Sequence, residues 1–381
     1  MLAVLSPLGE NPSRRFASRP GFSYIAWKMQ SVAAPAEPAS SIRTLARPDC
    51  VLCGSPGAPL YSGLRDFCYD APGEWGFRQC SRPECGAVWL DPVPTPEDLG
   101  KAYAGYYTHD QPEPGARVLR DLCWAVWRSY LGTRFGYTQG VGPRWRRLFS
   151  PLALLHPGGR GELDAAAMHL PAPAGPARVL DVGCGSGVLL ARMKSLGWEV
   201  EGQDVDPGAV EAARARGIPV RLGPLDQVGF ADHSFDAVHS AHVIEHVHDP
   251  LRLLRECYRI LKPGGTLVLL TPNARSMGHE VFGRHWLCLD PPRHLLLFTA
   301  SALQKAAQQA GFSVRLLDTT ARTVWVYAAL SYCVRQTGRG EMKELNRAGN
   351  LLRGAAFQLR QRWALGRRPE VGEELRLIAS K

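Results

Sequence analysis

Some residues in this chain have the types and spacings that chemistry needs. The first is a glycine turn, "VLDVGCGSGVLL" at 179–190, in which Gly183, Gly185 and Gly187 follow the acidic Asp181. Glycines there let a backbone pass close beneath a ligand, and the helix that follows offers its first amides to an anion. The spacing is G-x-G-x-G. A dinucleotide fingerprint would need its third glycine at 188, where Val188 stands, so the amides point to a carboxylate instead of a pyrophosphate. Asp204, at the end of the strand expected next, is placed to accept hydrogen bonds from a ribose diol. Asp181 would face an ammonium or brace the loop.

The second group is cysteine. "CVLCG" at 50–54 is answered by "CSRPECG" at 80–86, and the pairs Cys50/Cys53 and Cys80/Cys85 sit on turns that end in glycine. Two such knuckles around a strand-rich segment predict a four-thiolate zinc ribbon, with Cys68 as a spare sulfur and free structural thiols as the alternative. A closed four-thiolate site is structural, so no catalysis is assigned to it. The third group is "HVIEHVHD", where His242, Glu245 and His246 fall at i, i+3 and i+4 and share a helical face. The string also fits the H-x-x-E-H metalloprotease pattern, which its place after a strand argues against. His242 or His246 could serve as a general base, since an imidazole titrates near pH ~6.5. The bland alternative is that Glu245 and His246 only hold the turn together. A further polar cluster, "FGRHWLCLDPPRHLLLF", supplies Arg284, His285, Trp286 and His294 as candidate substrate contacts, with Arg293 beside them.

These groups need elements to position them. Residues 1–47 are rich in Pro, Ala, Ser and Arg and are expected to be disordered, with an over-long start before Met29 or an organellar transit peptide as the alternatives. The ribbon is placed at 48–98 and a helical connector at 99–176. In the connector, Leu119, Leu122, Cys123, Val126, Trp127 and Tyr130 recur on one amphipathic face. Arg120, Arg128, Arg134, Arg144, Arg146 and Arg147 accompany Trp124, Trp127 and Trp145. That mixture suits packing over the main domain, with RNA or a membrane surface as the sharper readings. From Ala177 an apolar strand, the glycine turn, a helix closed by Gly197 and a second strand ending at Asp204 make a βαβ unit. Its ligand edge is the carboxyl end of a parallel sheet. Asp206 with Pro207, and Asp249 with Pro250, start later helices.

The chain has 381 residues, and its 45 Lys and Arg against 35 Asp and Glu give a formal charge of +10. No apolar run reaches the ~18 residues of a membrane span. Ten cysteines in a chain this long do not resemble a disulfide framework, so a reducing cytoplasm is the expected compartment.

The motif "VLDVGCGSG" resembles the first motif of class I S-adenosylmethionine-dependent methyltransferases. The likeness extends through "FDAVHSAHVIEHVHDPLRLLRECYRILKPGGTLVLLTPN" and "LFTASALQKAAQQAGFSV", over about residues 177–320. The Cys-knuckle segment ahead of it is similar to a bacterial subgroup acting on small molecules or glycans. The resemblance implies an α/β Rossmann-like fold: a seven-stranded, mostly parallel sheet with helices on both faces, its core at 177–320 and the last strand, at 372–381, antiparallel to the fifth. Residues 321–371 then form a helical insertion. There Leu352, Ala355, Ala356, Leu359 and Trp363 share a face, expected to pack on the chain's own domain, a membrane-surface helix or a lid being the alternative.

The resemblance also implies that Asp181, Gly183, Gly185 and Gly187 line the methionine moiety of S-adenosylmethionine and that Asp204 holds the ribose. Pro224 stands where the family often has an acidic residue, so adenine would rest on backbone amides and apolar groups such as Leu225. Some quinone-pathway O-methyltransferases look similar around 242–246, with two carboxylates and a histidine chelating a divalent ion; His242 replaces the first carboxylate here. The implied activity is methyl transfer to a small-molecule or glycan acceptor, at oxygen. Nucleic acid is not an expected partner, and peripheral membrane contact through the basic helices stays open. A non-catalytic module that binds RNA or a protein, or an NAD-dependent oxidoreductase, are the rival readings.

Overall fold

The computed structural model describes residues 41–103, 117–138, 150–151, 159–341, 345 and 348–381. The N-terminal 1–40 stretch and Arg144, Trp145, Arg146 and Arg147 lie outside the described residues. So do the side chains of Leu119, Arg120, Leu122, Cys123 and Trp124.

In chain order the strands begin with β1 (Thr44–Leu45), β2 (Gly57–Leu64), β3 (Trp75–Cys80), β4 (Val88–Leu90) and β5 (Val93–Pro94). Helices α1 (Arg117–Arg134) and α2 (Gly159–Ala165) follow, then the alternation that the βαβ reading expects: β6 (Arg178–Val182), α3 (Val188–Ser195), β7 (Glu199–Asp204), α4 (Pro207–Ala215) and β8 (Val220–Leu222). After β9 (Phe235–Ala241) come α5 (Pro250–Ile260), β10 (Leu261–Pro272), α6 (Met277–Phe282), β11 (Leu296–Leu297), α7 (Ala300–Gln309) and β12 (Ser313–Thr320). The chain ends with α8 (Val324–Thr337), α9 (Ala348–Leu365) and β13 (Glu374–Ser380).

Seven strands form the main sheet in the order β12-β13-β10-β9-β6-β7-β8. β13 runs antiparallel to both β10 and β12, whereas β10, β9, β6, β7 and β8 are parallel to their neighbours in that run. Burial on both faces explains their apolar content: Val179, Leu180 and Val182 of β6 and Phe235, Ala237 and Val238 of β9 are all buried. One face packs against α5 and α7, and the other against α1, α3 and α4. Local signals set the helix starts as expected. The Asp206 side chain accepts from the Gly208 amide and Asp249 from the Arg252 amide, each with proline at the first turn.

The Cys knuckles are not a satellite. β2, β3 and β4 form a small sheet whose outer strand is β11, contributed by the loop after β10. Cys50, Cys80 and Cys85 belong to the same buried cluster as Leu303 and Ala306 of α7. The segment after β5 forms one short 3-10 turn, Leu99–Tyr103, within the described residues.

The largest departure from expectation is α9. Its buried side consists of Asn350, Gly354, Phe357, Gln358 and Gln361, while Leu352, Ala355, Ala356, Leu359 and Trp363 point outward. The apolar stripe thus does not pack on its own domain. The glutamines take that place because they satisfy backbone groups there: Gln358 Nε2 donates to the Ala321 carbonyl, and Gln361 Nε2 to the Val371 carbonyl and Glu373.

Candidate active site

The glycine turn lies where β6 ends, and each of its glycines has positive φ: 73° at Gly183, 55° at Gly185 and 72° at Gly187. At two of them a side chain is also excluded by contact. A Cβ on Gly183 would lie 2.4 Å from Val243 Cγ2, and one on Gly187 would lie 2.9 Å from Ala213 Cβ. A Cβ on Gly185 would meet nothing within 4 Å, so that glycine faces open space. The turn is pinned to β7 by its amides. Gly183 N and Cys184 N donate to the Gln203 carbonyl, and Gly185 N donates to Asp204 Oδ2 at 2.8 Å. Asp204 Oδ1 accepts from the Asp206 amide at 3.0 Å, so this carboxylate joins the turn to the helix start that follows.

Several buried polar atoms here have no protein partner: Asp181 Oδ2, Ser186 Oγ and Ser240 Oγ, on the turn and at the ends of β6 and β9. Such orphans are costly unless a ligand or water serves them. The residues therefore fit a polar, nucleoside-bearing ligand along the carboxyl edge, the place expected for S-adenosylmethionine. Asp181 is buried, its Oδ1 2.7 Å from His239 Nδ1 on the adjacent strand. Leu225 is buried among the residues that pack under α5.

Next to this edge, His242 has φ 57° and both ring nitrogens engaged, Nδ1 at 3.1 Å from Glu245 Oε1 and Nε2 at 2.9 Å from Glu374 Oε1. Burial alone would lower its pKa; hydrogen bonds and charge from Glu245 and Glu374 outweigh that, and the imidazole is held above its ordinary value. The carboxylates respond in kind. Burial would raise Glu245, but His242 draws it down to about 2, and Arg322 with His242 likewise depresses Glu374. Two carboxylates can both accept only if each nitrogen carries a proton, so His242 is an imidazolium clamp between Glu245, in the 3-10 turn Ile244–His246, and Glu374 of β13.

His246 is differently placed. Its Nδ1 lies 3.0 Å from both the Tyr103 hydroxyl and the Arg293 carbonyl oxygen. A carbonyl only accepts, so Nδ1 is the donor in that contact. The His294 ring packs edge-on against it at 4.7 Å between centroids, its own Nδ1 donating to the Cys288 carbonyl at 2.7 Å. Glu245, His246 and His294 bring ligand atoms within 4.8 Å of one another. The compact polar group therefore replaces His242 by His294, a residue 48 positions away in sequence from His246.

The other candidate contacts separate from this group. Trp286 is fully buried, its Nε1 hydrogen-bonded to Glu373 Oε1 at 2.5 Å and its ring stacked on His279, so packing removes it from any cleft. Arg284 is exposed and donates to the Ser62 carbonyl of β2, and His285 is half-buried with its pKa lowered by burial. Sequence reasoning missed Tyr103, and it placed Arg293 among the groups lining the pocket, where the structure buries it as a bridge between segments. Arg293 is fully buried, and its guanidinium bridges Asp66 of the knuckle segment, Asp290 and the Ala102 carbonyl.

The four expected thiols do converge. Cys50, Cys53, Cys80 and Cys85 bring their sulfurs within 4.8 Å of one another, with Cys50–Cys85 at 3.8 Å and Cys53–Cys80 at 3.5 Å. Zinc–thiolate bonds of ~2.3 Å in a tetrahedron put sulfurs ~3.8 Å apart, so the set fits a structural zinc. Cys68 stands apart, its sulfur against the Gly340 carbonyl.

Residues 156–317 match the family described as methyltransferase domain. The chain is 39% identical over 137 residues to a protein of Xanthomonas campestris named ubiquinone biosynthesis O-methyltransferase, covering 34% of this chain and 56% of the relative. A protein of the same name from Cereibacter sphaeroides is 36% identical over 128 residues, covering 32% of this chain and 52% of the relative. The chain thus spans about half the length of the curated relatives it matches. Among solved structures, an S-adenosylmethionine-dependent methyltransferase from Mesorhizobium loti aligns with 20% identity and a TM-score of 0.40, over 59% of this chain and 100% of that one.

Proposed function

We propose, on the premise that residues 156–317 form a methyltransferase domain, that this chain is a class I enzyme methylating an oxygen of a small-molecule acceptor. The observation that carries this reading is the glycine turn: Gly185 opens onto free space while its amide is tied to Asp204, and unpartnered polar atoms lie on the turn at Ser186 and on β6 and β9 at Asp181 and Ser240. The relatives named ubiquinone biosynthesis O-methyltransferase support oxygen as the accepting atom.

Asp204 and the amides near it would hold the ribose, Asp181 with Gly183, Gly185 and Gly187 the methionine end, and Leu225 one face of adenine. When bound, S-adenosylmethionine supplies an electrophilic sulfonium methyl. What the chain adds is position, dryness and a proton acceptor. In this reading His246 Nε2 takes the acceptor's hydroxyl proton, because its Nδ1 is committed to donation, and His294 and Glu245 orient the acceptor or a divalent ion beside it. His242 also stands as a candidate base, but with both nitrogens donating to carboxylates it is better suited to holding Glu245 in place. The zinc ribbon carries no chemistry; through Asp66 and the segment ending at Tyr103 it braces the loop that presents His294.

The test is a methyl-transfer assay on a panel of phenols, catechols and sugar hydroxyls, reading S-adenosylhomocysteine formation. Turnover with a hydroxyl acceptor is expected, reduced about a hundredfold or more by His246→Ala. Methylation of an amine or thiol alone would overturn the choice of oxygen, and an unaffected His246→Ala would remove the base.

A further inference from the structure

We propose that the outward face of α9 is a docking surface for an anionic lipid bilayer. A helix on the surface of a globular domain normally turns its Leu and Trp inward and its polar residues outward. α9 departs from this, burying Phe357 alone of its large apolar side chains. Leu352, Leu359 and Trp363 are 71%, 66% and 65% exposed, while Gln361 is fully buried and Gln358 nearly so. Of the eight large apolar residues exposed among the described residues, four belong to this helix, so the patch is concentrated and not scattered.

This orientation is built in. Gly354 packs so closely on α8 that a Cβ there would lie 2.2 Å from the Trp325 carbonyl oxygen, and the buried glutamines hold backbone groups on the inner side. The helix cannot roll to hide its stripe without breaking those bonds. At ~100° per residue, Leu352, Ala355, Ala356, Leu359 and Trp363 form one stripe opposite the buried glutamines. Arg353 and Arg360 flank it on one side and Arg362 on the other.

Charge selects the occupant. From Ala348 to Arg368 the chain has five arginines and no acidic residue. Arg368 is paired with Glu280 and Glu370, whereas Arg367 lies over the Trp363 ring, 3.8 Å from its centroid. A second copy docking by the same face would set arginine against arginine across the two-fold axis. An anionic bilayer answers both features: its acyl boundary takes the Leu and Trp side chains, and its phosphates take the flanking guanidiniums. This inference stands apart from the identity of the methyl acceptor.

The experiment is flotation of the full chain with vesicles of phosphatidylcholine alone and of phosphatidylcholine and phosphatidylglycerol in equal parts. Binding to the anionic vesicles only is expected, weakening as salt is raised. Leu359→Glu with Trp363→Glu, and separately Arg353→Glu with Arg360→Glu, should each lower partitioning roughly tenfold or more. Thermal unfolding should be little changed, because these side chains are exposed. Failure to float on the anionic vesicles would overturn the proposal, as would flotation unaffected in both variants. A concentration-dependent dimer abolished by Leu359→Glu would also overturn it, naming a second copy as the occupant instead.

Discussion

Arg293→Met cuts the tie between the knuckle segment and the loop that presents His294. Every N–H of this guanidinium is used: Nε donates to Asp290, one terminal nitrogen to Asp66 and the Ala102 carbonyl, the other to Asp66 and Asp290. Neither the arginine nor the Asp66 side chain has any solvent exposure. Asp66 also accepts from the Cys68, Tyr69 and Ala71 amides, so it cannot swing out to water without unravelling its own turn. Removing one partner of a buried pair leaves an uncompensated charge, which costs about 3–5 kcal/mol. Three backbone donors remain on Asp66 and soften that, which places the expected loss near ~3 kcal/mol. Urea unfolding of the zinc-loaded chain, followed by circular dichroism and by intrinsic fluorescence, measures it. Asp66→Asn combined with Arg293→Met should be less damaging than the sum of the two single changes. A loss under ~1 kcal/mol for Arg293→Met, or strict additivity of the pair, would refute the view that this bridge holds the site together.

Asp204→Ala removes acceptors from the Gly185 and Asp206 amides and, in the proposed reading, from the ribose, and is expected to weaken S-adenosylhomocysteine binding by about ten- to a hundredfold in calorimetry; unchanged affinity would contradict the assignment. Cys85→Ser should lose the single zinc expected per chain, measured by metal analysis of the purified protein, because a hydroxyl replaces a thiolate in a closed set. Full metal retention would count against the ribbon. His242 adds a pH dependence. Its folded pKa is raised, so its stabilising contribution is fully present below its unfolded value near ~6.5 and is lost as pH rises through the folded value. Glu245 is depressed to about 2, so its share is present above its unfolded value and is lost as pH falls toward about 2. The melting-temperature gap between the wild type and His242→Gln should therefore narrow on the alkaline side; a gap that widens there would show the histidine to be neutral.

The parts legible in the sequence were those with local causes. The βαβ order, the glycine turn, and the caps at Asp206 and Asp249 each rest on neighbours within a few residues, and the strands of the main sheet followed. The four knuckle cysteines were legible too, because thiolate pairs on glycine turns have few other uses. What escaped was non-local. Nothing near Arg293 announces that Asp66 waits 227 positions upstream, nor that β11 would complete the knuckle sheet. His242 and His246 share one helical spacing, yet Glu374 and the Arg293 carbonyl, contributed from elsewhere, give them different hydrogen-bond partners. In α9 the period is legible but the direction is not: the helix packs on its own domain through the face opposite its apolar stripe. Hydrophobic periodicity tells which residues share a face; which face turns inward depends on partners such as the Ala321 and Val371 carbonyls.

Calorimetric titration of the purified full chain with S-adenosylhomocysteine, with NAD as the comparison, bears most directly on what the glycine turn holds. Micromolar binding of S-adenosylhomocysteine and none of NAD is the expected result. Binding of NAD alone, or of neither, would contradict the methyltransferase reading of the Gly183–Gly187 turn.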